Sequence, residues 1–387
     1  MELTREEENM LKGESGESLS IAYRILLAIG EATDAERLIP VKWAHISGAN
    51  YNTIGDSGVN FLGDFSKKAR VKIKTTVNPV GFDINKLGNL SDNFINKQFN
   101  IMRSYEMLGT IPSFTCIPYE IFDIPKKGDA VSFAESNAAI FANSILGLSS
   151  NRESGLSSLA SAITGKTPYS NLQIEQFRHA KVVIKTDSDL TTELDYGLLG
   201  FFVGKTVTDS CVAFCQGKEK IGTMNAKALS AGMGTSGSCG MFTKEDGTQK
   251  ETISCGREEL SGIKEQLNTA NEGDLIVLGS PQLGLNELRL LAKLIQGKKL
   301  KKRCIIFCAR TIYNQARYIG ITNQIEHAGG EFMCDSCSCL TPLITRADFD
   351  SVITNSVKAA YYLNKSNKLG VSLKDMKDII KEYASCN

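Results

Sequence analysis

Two cysteine-containing stretches carry the side chains in this sequence that are best suited to bind a metal. In the first, Thr115-Cys116-Ile117-Pro118-Tyr119, an apolar run delivers one cysteine into a turn that a proline fixes. The second, Cys334-Asp335-Ser336-Cys337-Ser338-Cys339, lies far downstream. A lone cysteine after an apolar run is usually a small buried hydrophobe, and the crowded second stretch is also compatible with a zinc site or a redox pair. The cysteine spacing alone leaves these alternatives open.

The bulk composition excludes several classes of protein. The 387 residues carry a net charge of +1, so no overall field attracts nucleic acid or a membrane surface. The acidic start of the chain lacks the apolar segment of a secretion signal, and no apolar run is long enough to span a bilayer. Eleven cysteines without such a signal indicate a reducing compartment, so we expect a cytoplasmic protein. Only three histidines are present, which argues against a histidine-rich metal site.

The order of the predicted elements favours an α/β fold. Short apolar or alternating strands, such as Val71 to Val77 and Leu275 to Leu278, are followed by polar or glycine-containing turns and then by helices. This alternation predicts doubly wound parallel sheets with helices on both faces. A mixed segment before residue 206 suggests a division into an N-terminal α/β region, 1–205, and a C-terminal α/β region, 206–387.

Three turns at the ends of predicted strands contain residues that could bind a ligand. Gly48-Ala49-Asn50 joins a strand to a helix, where exposed backbone N–H groups suit an anion, although a plain βα turn is the more frequent outcome. Asn78-Pro79 ends another strand, so that its amide is expected at the carboxyl edge of a sheet, with a simple turn as the alternative. Gly279-Ser280-Pro281 follows a buried strand in the same way.

A segment dense in glycine and serine occupies residues 230–240, directly after Met224 to Leu229. Such a composition is typical of a ligand-binding loop or of a low-complexity linker, and we expect one of the two here. The segment lacks the Gly-Lys-Ser/Thr ending of a P-loop, which excludes a nucleoside triphosphate site of that type.

Motifs along nearly the whole chain occur in the order of one known family. They are Thr4 to Gly13, His45-Ile46-Ser47-Gly48, Gly55-Asp56-Ser57-Gly58, Asn78-Pro79, Thr115 to Tyr119, Asn143 to Gly147, Asn151-Arg152-Glu153, the glycine–serine segment, and Thr354-Asn355-Ser356 with Lys358-Ala359-Ala360. Together they resemble the aconitase X family of the aconitase superfamily. The resemblance implies an aconitase-like fold and a hydro-lyase that removes water from a small hydroxy acid with an iron–sulfur cluster, [4Fe-4S] or smaller.

The resemblance also implies a subunit composition. One branch of the family is a single chain that acts on cis-3-hydroxyproline, whereas the other has separate large and small subunits, and its archaeal form dehydrates 5-phosphomevalonate. This chain is similar to the large subunit of the split type, without the swivelling small domain. We therefore expect a heterodimer with a small swivelling-domain subunit and a substrate resembling 5-phosphomevalonate or hydroxyproline.

Roles for individual residues follow from the resemblance in the same way. Substrate contacts are implied for Gly48, Ala49, Asn50, Asn78 and Pro79, and contact with an anionic group of the substrate for Lys358. Cluster ligation is implied for Cys116 and Cys337, with Ser280 in the position of the family's third cysteine. The family's Gly-Cys-Pro-His is thus Gly279-Ser280-Pro281-Gln282 here.

Departures from the family pattern favour a second hypothesis. Besides Ser280 and Gln282, the chain has Ser149 in place of an arginine suited to anion binding. A serine oxygen is a poorer ligand for iron than a thiolate, so these changes also fit a diverged, non-catalytic subunit that binds a ligand or a partner. Nearby cysteines could supply the missing ligand, but the sequence favours buried thiols for all three, Cys308, Cys334 and Cys339.

Overall fold

Helices and short strands alternate along the chain in the computed structural model, which describes residues 1–186, 189–214, 221–249 and 251–386. The helices are α1 (Arg5–Lys12), α2 (Glu17–Ala32), α3 (Tyr51–Lys68), α4 (Asp92–Leu108), α5 (Ser136–Phe141), α6 (Gly155–Thr164), α7 (Glu193–Thr206), α8 (Thr223–Ser236), α9 (Arg257–Leu267), α10 (Leu285–Ile295), α11 (Arg310–Tyr318), α12 (Ile321–His327), α13 (Val357–Lys365) and α14 (Met376–Tyr383). The strands are β1 (Leu38–Pro40), β2 (Trp43–Ile46), β3 (Lys74–Val77), β4 (Ser132–Phe133), β5 (Lys166–Pro168), β6 (Val182–Lys185), β7 (Cys211–Phe214), β8 (Met241–Lys244), β9 (Glu251–Ser254), β10 (Leu275–Leu278), β11 (Lys298–Leu300), β12 (Arg303–Cys308), β13 (Gly330–Cys334), β14 (Ser351–Thr354), β15 (Gly370–Leu373) and β16 (Ala384–Cys386).

Three parallel sheets organise these elements. The first sheet has the strand order β3-β2-β4, the second β8-β7-β6-β9, and the third β13-β12-β10-β14-β15. In each sheet the earliest strand lies inside, and later strands are added on both sides of it. This is the doubly wound arrangement, so the predicted α/β class is confirmed. Ligands bind such sheets at the carboxyl ends of the strands, beside the inner strand where the order reverses.

A continuous apolar core fixes the three sheets relative to one another. The strand residues of β10 are fully buried, as expected for a parallel strand that is covered on both faces. One apolar cluster contains Trp43 and Phe133 from the first sheet, Val182 from the second, and Val277 and Phe307 from the third. Because protein cores are close-packed, this shared cluster also fixes where the strand ends lie.

Two expectations concern the chain as a whole. Within the described ranges, no helix combines the length and the apolar character that are needed to cross a bilayer. The division of the chain after residue 205 stays a prediction, because the grouping of strands into sheets does not by itself define separate folding units.

The glycine–serine segment is a helix, so the prediction of a loop or linker was wrong. Most of the segment belongs to α8, which packs closely on α7. A Cβ atom on Gly200 of α7 would lie 2.2 Å from the Leu229 carbonyl oxygen, and one on Gly232 of α8 would lie 2.2 Å from the Gly197 carbonyl oxygen. The glycines therefore allow the two backbones to approach, and packing with α7 outweighs their low helix propensity.

This packing predicts opposite effects for two glycine substitutions. Gly232→Ala places a methyl group against the α7 backbone and is expected to lower the free energy of unfolding by about 1–3 kcal/mol. Gly262 lies exposed in α9, and a Cβ atom there would have no neighbouring atom within 4 Å. Because alanine has the higher helix propensity, Gly262→Ala should raise the free energy of unfolding by roughly 0.5–1 kcal/mol. Urea titration of both variants measures the change, and equal effects at the two positions would contradict the close approach.

Candidate active site

The carboxyl ends of strands from the first and third sheets meet around one cavity of about 320 Å³. The first sheet contributes the residues that follow its strands, which include Ser47, Asn78, Pro79 and Glu135. The third sheet contributes Ser280, Cys337 and Cys339 from the turns after β10 and β13. Lys358, at the start of α13 after β14, lines the cavity as well. The site thus lies where doubly wound sheets bind ligands.

Three thiols face this cavity. Cys116 lies in the first thiol segment, residues 114–119, and accepts a hydrogen bond from the Gln282 N–H at 3.2 Å. Cys337 and Cys339 lie in the second thiol segment, residues 334–340, where Cys339 Sγ is 3.3 Å from Ser280 Oγ. In the described part of the chain, no three histidine, cysteine, aspartate or glutamate side chains converge closely enough to hold a single metal ion. The arrangement therefore does not support the zinc alternative, which needs such convergence.

The carboxamide of Gln282 joins the two thiol segments. Its Nε2 donates to the carbonyl oxygens of Phe114 at 3.2 Å and Ser336 at 3.0 Å. Its Oε1 accepts from the Cys116 N–H at 3.4 Å, and the residue is fully buried. Phe114 and Asp335 have positive φ angles of 40° and 62°, so both segments turn sharply beside this amide. Buried backbone groups require partners, and here one side chain supplies three of them.

A buried lysine holds the main chain at the same place. Lys227 of α8 donates to the Gln282 carbonyl oxygen at 3.0 Å and to Glu120 at 3.1 Å, and it also pairs with Glu287. Burial opposes a charged lysine, but the negative charges of Glu120 and Glu287 outweigh burial and raise the pKa of Lys227. Helix α8, and with it the glycine packing on α7, therefore supports the segment that carries Ser280 and Gln282.

Loss of the Gln282 amide should destabilise the protein measurably. Gln282→Leu leaves the Cys116 N–H and two carbonyl groups buried without this partner, which is expected to lower the free energy of unfolding by about 3 kcal/mol. Gln315 is exposed on α11, so Gln315→Leu serves as the control and should change stability by less than about 0.5 kcal/mol. Urea titration of the metal-free chain tests this. A cost below about 1 kcal/mol for Gln282→Leu would show that the amide does not join the segments.

A buried ion pair forms another side of the cavity. Lys358 Nζ donates to Glu135 Oε1 at 2.6 Å and to Asn137 Oδ1 at 3.2 Å. Burial disfavours both charges, yet each partner offsets this for the other: the pKa of Lys358 is raised and that of Glu135 is lowered. Both side chains are therefore charged at neutral pH. The third N–H of the ammonium group makes no hydrogen bond among the described residues and is available to an anion.

A chain of hydrogen bonds leads from this ion pair into the first sheet. Asn78 Nδ2 donates to Glu135 Oε2 at 2.8 Å, which directs its Oδ1 toward His45 Nε2 at 3.3 Å. His45 Nδ1 lies 2.8 Å from Thr76 Oγ1, and that hydroxyl accepts from Trp43 Nε1 at 2.9 Å. Because the Asn78 Oδ1 can only accept, Nε2 carries the imidazole proton. The Nδ1 of the neutral ring then accepts from the Thr76 hydroxyl, which assigns the Nε2–H tautomer. Burial lowers the pKa of His45 to about 4 despite the nearby Glu135 charge.

This low pKa predicts a specific pH dependence of stability. The unfolded chain binds the imidazole proton below about pH 6.5, whereas the folded chain binds it only below about pH 4. Stability is therefore lost as the pH falls through this interval. We expect the free energy of unfolding of the wild type, relative to His45→Gln, to fall by about 2 kcal/mol between pH 7 and pH 5. Urea titrations of both proteins at each pH measure the difference, and a constant difference would mean that His45 is not held neutral.

The thiols of the site differ in acidity. The hydrogen bond from the Cys339 thiol, and then the charge of Lys358, lower the pKa of Cys337 to about 7, although burial opposes this. Burial and the Glu135 charge raise the pKa of Cys116 to about 12, although Lys358 acts in the opposite direction. Cys337 therefore ionises most readily, and Cys116 needs a bound cation to become a thiolate.

The structure brings together six of the nine residues that the sequence singled out. Those that line the cavity are Asn78, Pro79, Cys116, Ser280, Cys337 and Lys358. The other three residues, Gly48, Ala49 and Asn50, lie in the turn after β2 and do not line the cavity. Their substrate contacts stay a prediction. The side chain of Asn50 caps α3 through the Asn52 N–H at 2.8 Å and donates to the Leu340 carbonyl at 3.2 Å, so it positions the second thiol segment.

The structure also locates four further residues that the sequence analysis discussed as departures from the family pattern or as spare thiols. Ser149 lines a separate surface depression and not this cavity. Cys308 and Cys334 pair in register inside the third sheet and are buried thiols, as expected. Cys339 is only partly buried and faces the cavity, so the expectation of a buried thiol was wrong for this residue.

Two important residues were missed, and each had a signal in the sequence. Glu135 follows β4 almost directly, so the strand-end argument that selected Asn78 applies equally to it. Gln282 was noted only as a departure from a family pattern, yet a polar side chain two residues after Ser280 stands at the same sheet edge.

Comparison with known proteins agrees with this fold. A crystal structure of Thermococcus kodakaraensis aconitase X in its holo-form superimposes with a TM-score of 0.92 at 36% sequence identity, covering 99% of this chain and 100% of that chain. The fold is therefore aconitase-like. Models for the first, second and third domains of aconitase X match residues 1–176, 180–268 and 273–385. The chain belongs to the aconitase X family.

Curated relatives of two kinds share this family. The phosphomevalonate dehydratase large subunit of Methanocaldococcus jannaschii is 37% identical, with 98% of this chain and 100% of the relative covered. The same subunit of Thermococcus kodakarensis is 36% identical, with 99% of this chain and 100% of the relative covered. The cis-3-hydroxy-L-proline dehydratase of Pseudomonas aeruginosa is 30% identical, with 91% of this chain but only 65% of the relative covered. This chain thus matches the large subunits over their whole length.

Proposed function

We propose that the chain is the large subunit of a hydro-lyase that removes water from a small hydroxy acid at an iron–sulfur cluster held in the cavity. The observation that carries the proposal is the meeting of three thiols with the Lys358–Glu135 pair at the strand ends of a chain of the aconitase X family. The curated relatives described above are dehydratases.

The residues around the cavity fit an iron–sulfur cluster. Its irons are bound by separate thiolates, so the ligands need to line one cavity and not to converge on one point. Cys116 and Cys337 both line the cavity, on two separate segments that Gln282 fixes. Lys358 offsets the negative charge of the thiolates, which burial would otherwise disfavour. Cys116 and Cys337 are the proposed ligands of the cluster, and Ser280 occupies the position of the family's third cysteine ligand.

When bound, the cluster supplies a Lewis acid that polarises the hydroxyl group of the substrate. Lys358 binds an anionic group of the substrate with its remaining N–H, while Glu135 and Asn137 hold the ammonium group in place. Asn78 and Pro79 form the wall beside the substrate, and the bond from Asn78 to Glu135 fixes the orientation of its amide. His45 stays neutral beneath Asn78 and so keeps that orientation without adding charge.

The substrate is of the phosphomevalonate or the hydroxyproline class. Both are small hydroxy acids, and a single lysine donor suits the carboxylate that they share. The end-to-end match with the phosphomevalonate dehydratase large subunits favours the first class. The description of those relatives as large subunits also favours a separate small subunit as the partner.

The decisive experiment combines cluster assembly with activity. The chain is co-purified anaerobically with a candidate small subunit, reconstituted with ferrous iron and sulfide, and assayed with 5-phosphomevalonate and cis-3-hydroxy-L-proline. We expect a visible absorption band, bound iron and sulfide, and dehydration of one of the two compounds. Cys116→Ala should lose the iron and the activity because it removes a direct ligand.

Cys239→Ala is the matched control, since Cys239 is equally buried but bonds to the Ser210 and Met241 carbonyls in the second sheet. Cys239→Ala should bind as much iron per chain as the wild type. Equal iron in wild type and Cys116→Ala would contradict the cluster site. A wild type that binds no iron would favour the diverged, non-catalytic subunit.

A further inference from the structure

The third ligand position of the cavity holds a serine and a cysteine side by side. Ser280 ends the turn after β10, and its Oγ lies 3.3 Å from Cys339 Sγ of the second thiol segment. We propose that Cys339 supplies the third thiolate of the cluster site, and that Ser280 does not bind iron but donates a hydrogen bond to the Cys339 sulfur. The inference rests on the proposed function, because it assigns a ligand to the same cluster.

Position distinguishes Cys339 from the other candidate thiols. Among the described cysteines, only Cys116, Cys337 and Cys339 line the cavity. Cys308 and Cys334 are within the hydrophobic core of the third sheet, where they are almost completely inaccessible and pack with apolar side chains. A ligand to an inserted group must reach the space that the group occupies, and Cys339 alone meets this requirement in addition to the two ligands already proposed.

The backbone holds Cys339 in place. The Leu340 and Thr341 N–H groups both donate to the Cys337 carbonyl at 3.0 Å, which closes a tight turn around Cys339. The Leu340 carbonyl accepts from Asn50 and Asn52 at 3.2 Å each, so the start of α3 anchors the far end of the turn. With the near end held by Gln282, the turn presents both of its sulfurs to the cavity before any ligand arrives.

The chemistry of the two side chains favours sulfur as the ligand. A thiol loses its proton far more readily than an alcohol, and iron in such clusters is bound by thiolates. On binding, the Cys339 Sγ–H bond breaks, its proton passes to water, and an Sγ–Fe bond forms with no change in the oxidation state of sulfur. The Ser280 hydroxyl then points its proton at the sulfur, and hydrogen bonds to ligand sulfurs are a recognised means of tuning such clusters.

Iron and sulfide binding by the full-length chain tests the assignment. Wild type, Cys339→Ala, Ser280→Ala and the double variant Ser280→Cys/Cys339→Ala are reconstituted anaerobically with ferrous iron and sulfide. Even the loss of an outer-shell contact often lowers metal affinity 10–100-fold, so Cys339→Ala should bind iron at least about tenfold more weakly. Ser280→Ala should keep its iron but shift the absorption and electron paramagnetic resonance spectra. The double variant should recover iron, because its thiolate occupies the adjacent position.

A cysteine variant outside the cavity and a chemical probe complete the experiment. Cys386 is exposed in β16, and Cys386→Ala should bind iron like the wild type. Thermal melts of the metal-free variants identify any variant that fails to fold. If one does, alkylation of the wild type tests the assignment without a substitution. In the wild type, iodoacetamide should alkylate Cys339 in the metal-free chain and not after reconstitution, as mass spectrometry of the peptides would show.

The possible failures separate the inference from the proposed function. If Cys339→Ala keeps its iron while Cys116→Ala loses it, or if Cys339 stays reactive after loading, the cluster exists but Cys339 is not its ligand. Loss of iron in Ser280→Ala alone would make the serine the ligand and overturn the assignment. A wild type that takes up no iron overturns the proposed function and the assignment with it.

Discussion

The geometry of the cavity depends on one buried carboxamide, that of Gln282. The two thiol segments leave different sheets, and their backbone groups are removed from water where they approach each other. A carboxamide carries two donor hydrogens and an acceptor oxygen, so a single side chain can satisfy the carbonyls of Phe114 and Ser336 together with the Cys116 N–H. Because unpaired backbone groups are costly when they are buried, these three hydrogen bonds hold the two segments together and so fix how far apart Cys116 and Cys337 lie.

Local sequence patterns were sufficient to predict the fold class and to place two of the cavity residues at sheet edges. The apolar residues of β10 and the turn residues after it placed Ser280 at a sheet edge, and the same reasoning placed Asn78. Helix α8 was missed because glycine density has two structural meanings. Glycine favours loops by its own propensity, and only the close approach of α7, at Gly200 and Gly232, shows that it serves helix packing here.

The rest of the site could not be predicted because its contacts join distant parts of the chain. Gln282 bonds to Cys116 across 166 positions, and Lys358 bonds to Glu135 across 223 positions. Periodicity describes neighbours within a few turns of helix or along one strand, so it carries no information about such pairs. For the same reason, Gln282 was first interpreted as a lost feature, although in three dimensions it is the residue that joins the segments.

Convergence of strand ends explains how the identity of a ligand can change while the site persists. The turns after β10 and β13 reach the same corner of the cavity, so that Ser280 and Cys339 are in contact although they belong to different strands. A sulfur carried by either turn would enter nearly the same space. The hydrogen bond to Cys337 and burial raise the pKa of Cys339, whereas the charge of Lys358 opposes this and favours a thiolate at either strand end. The fold therefore specifies a position for a ligand more strictly than it specifies which residue must provide it.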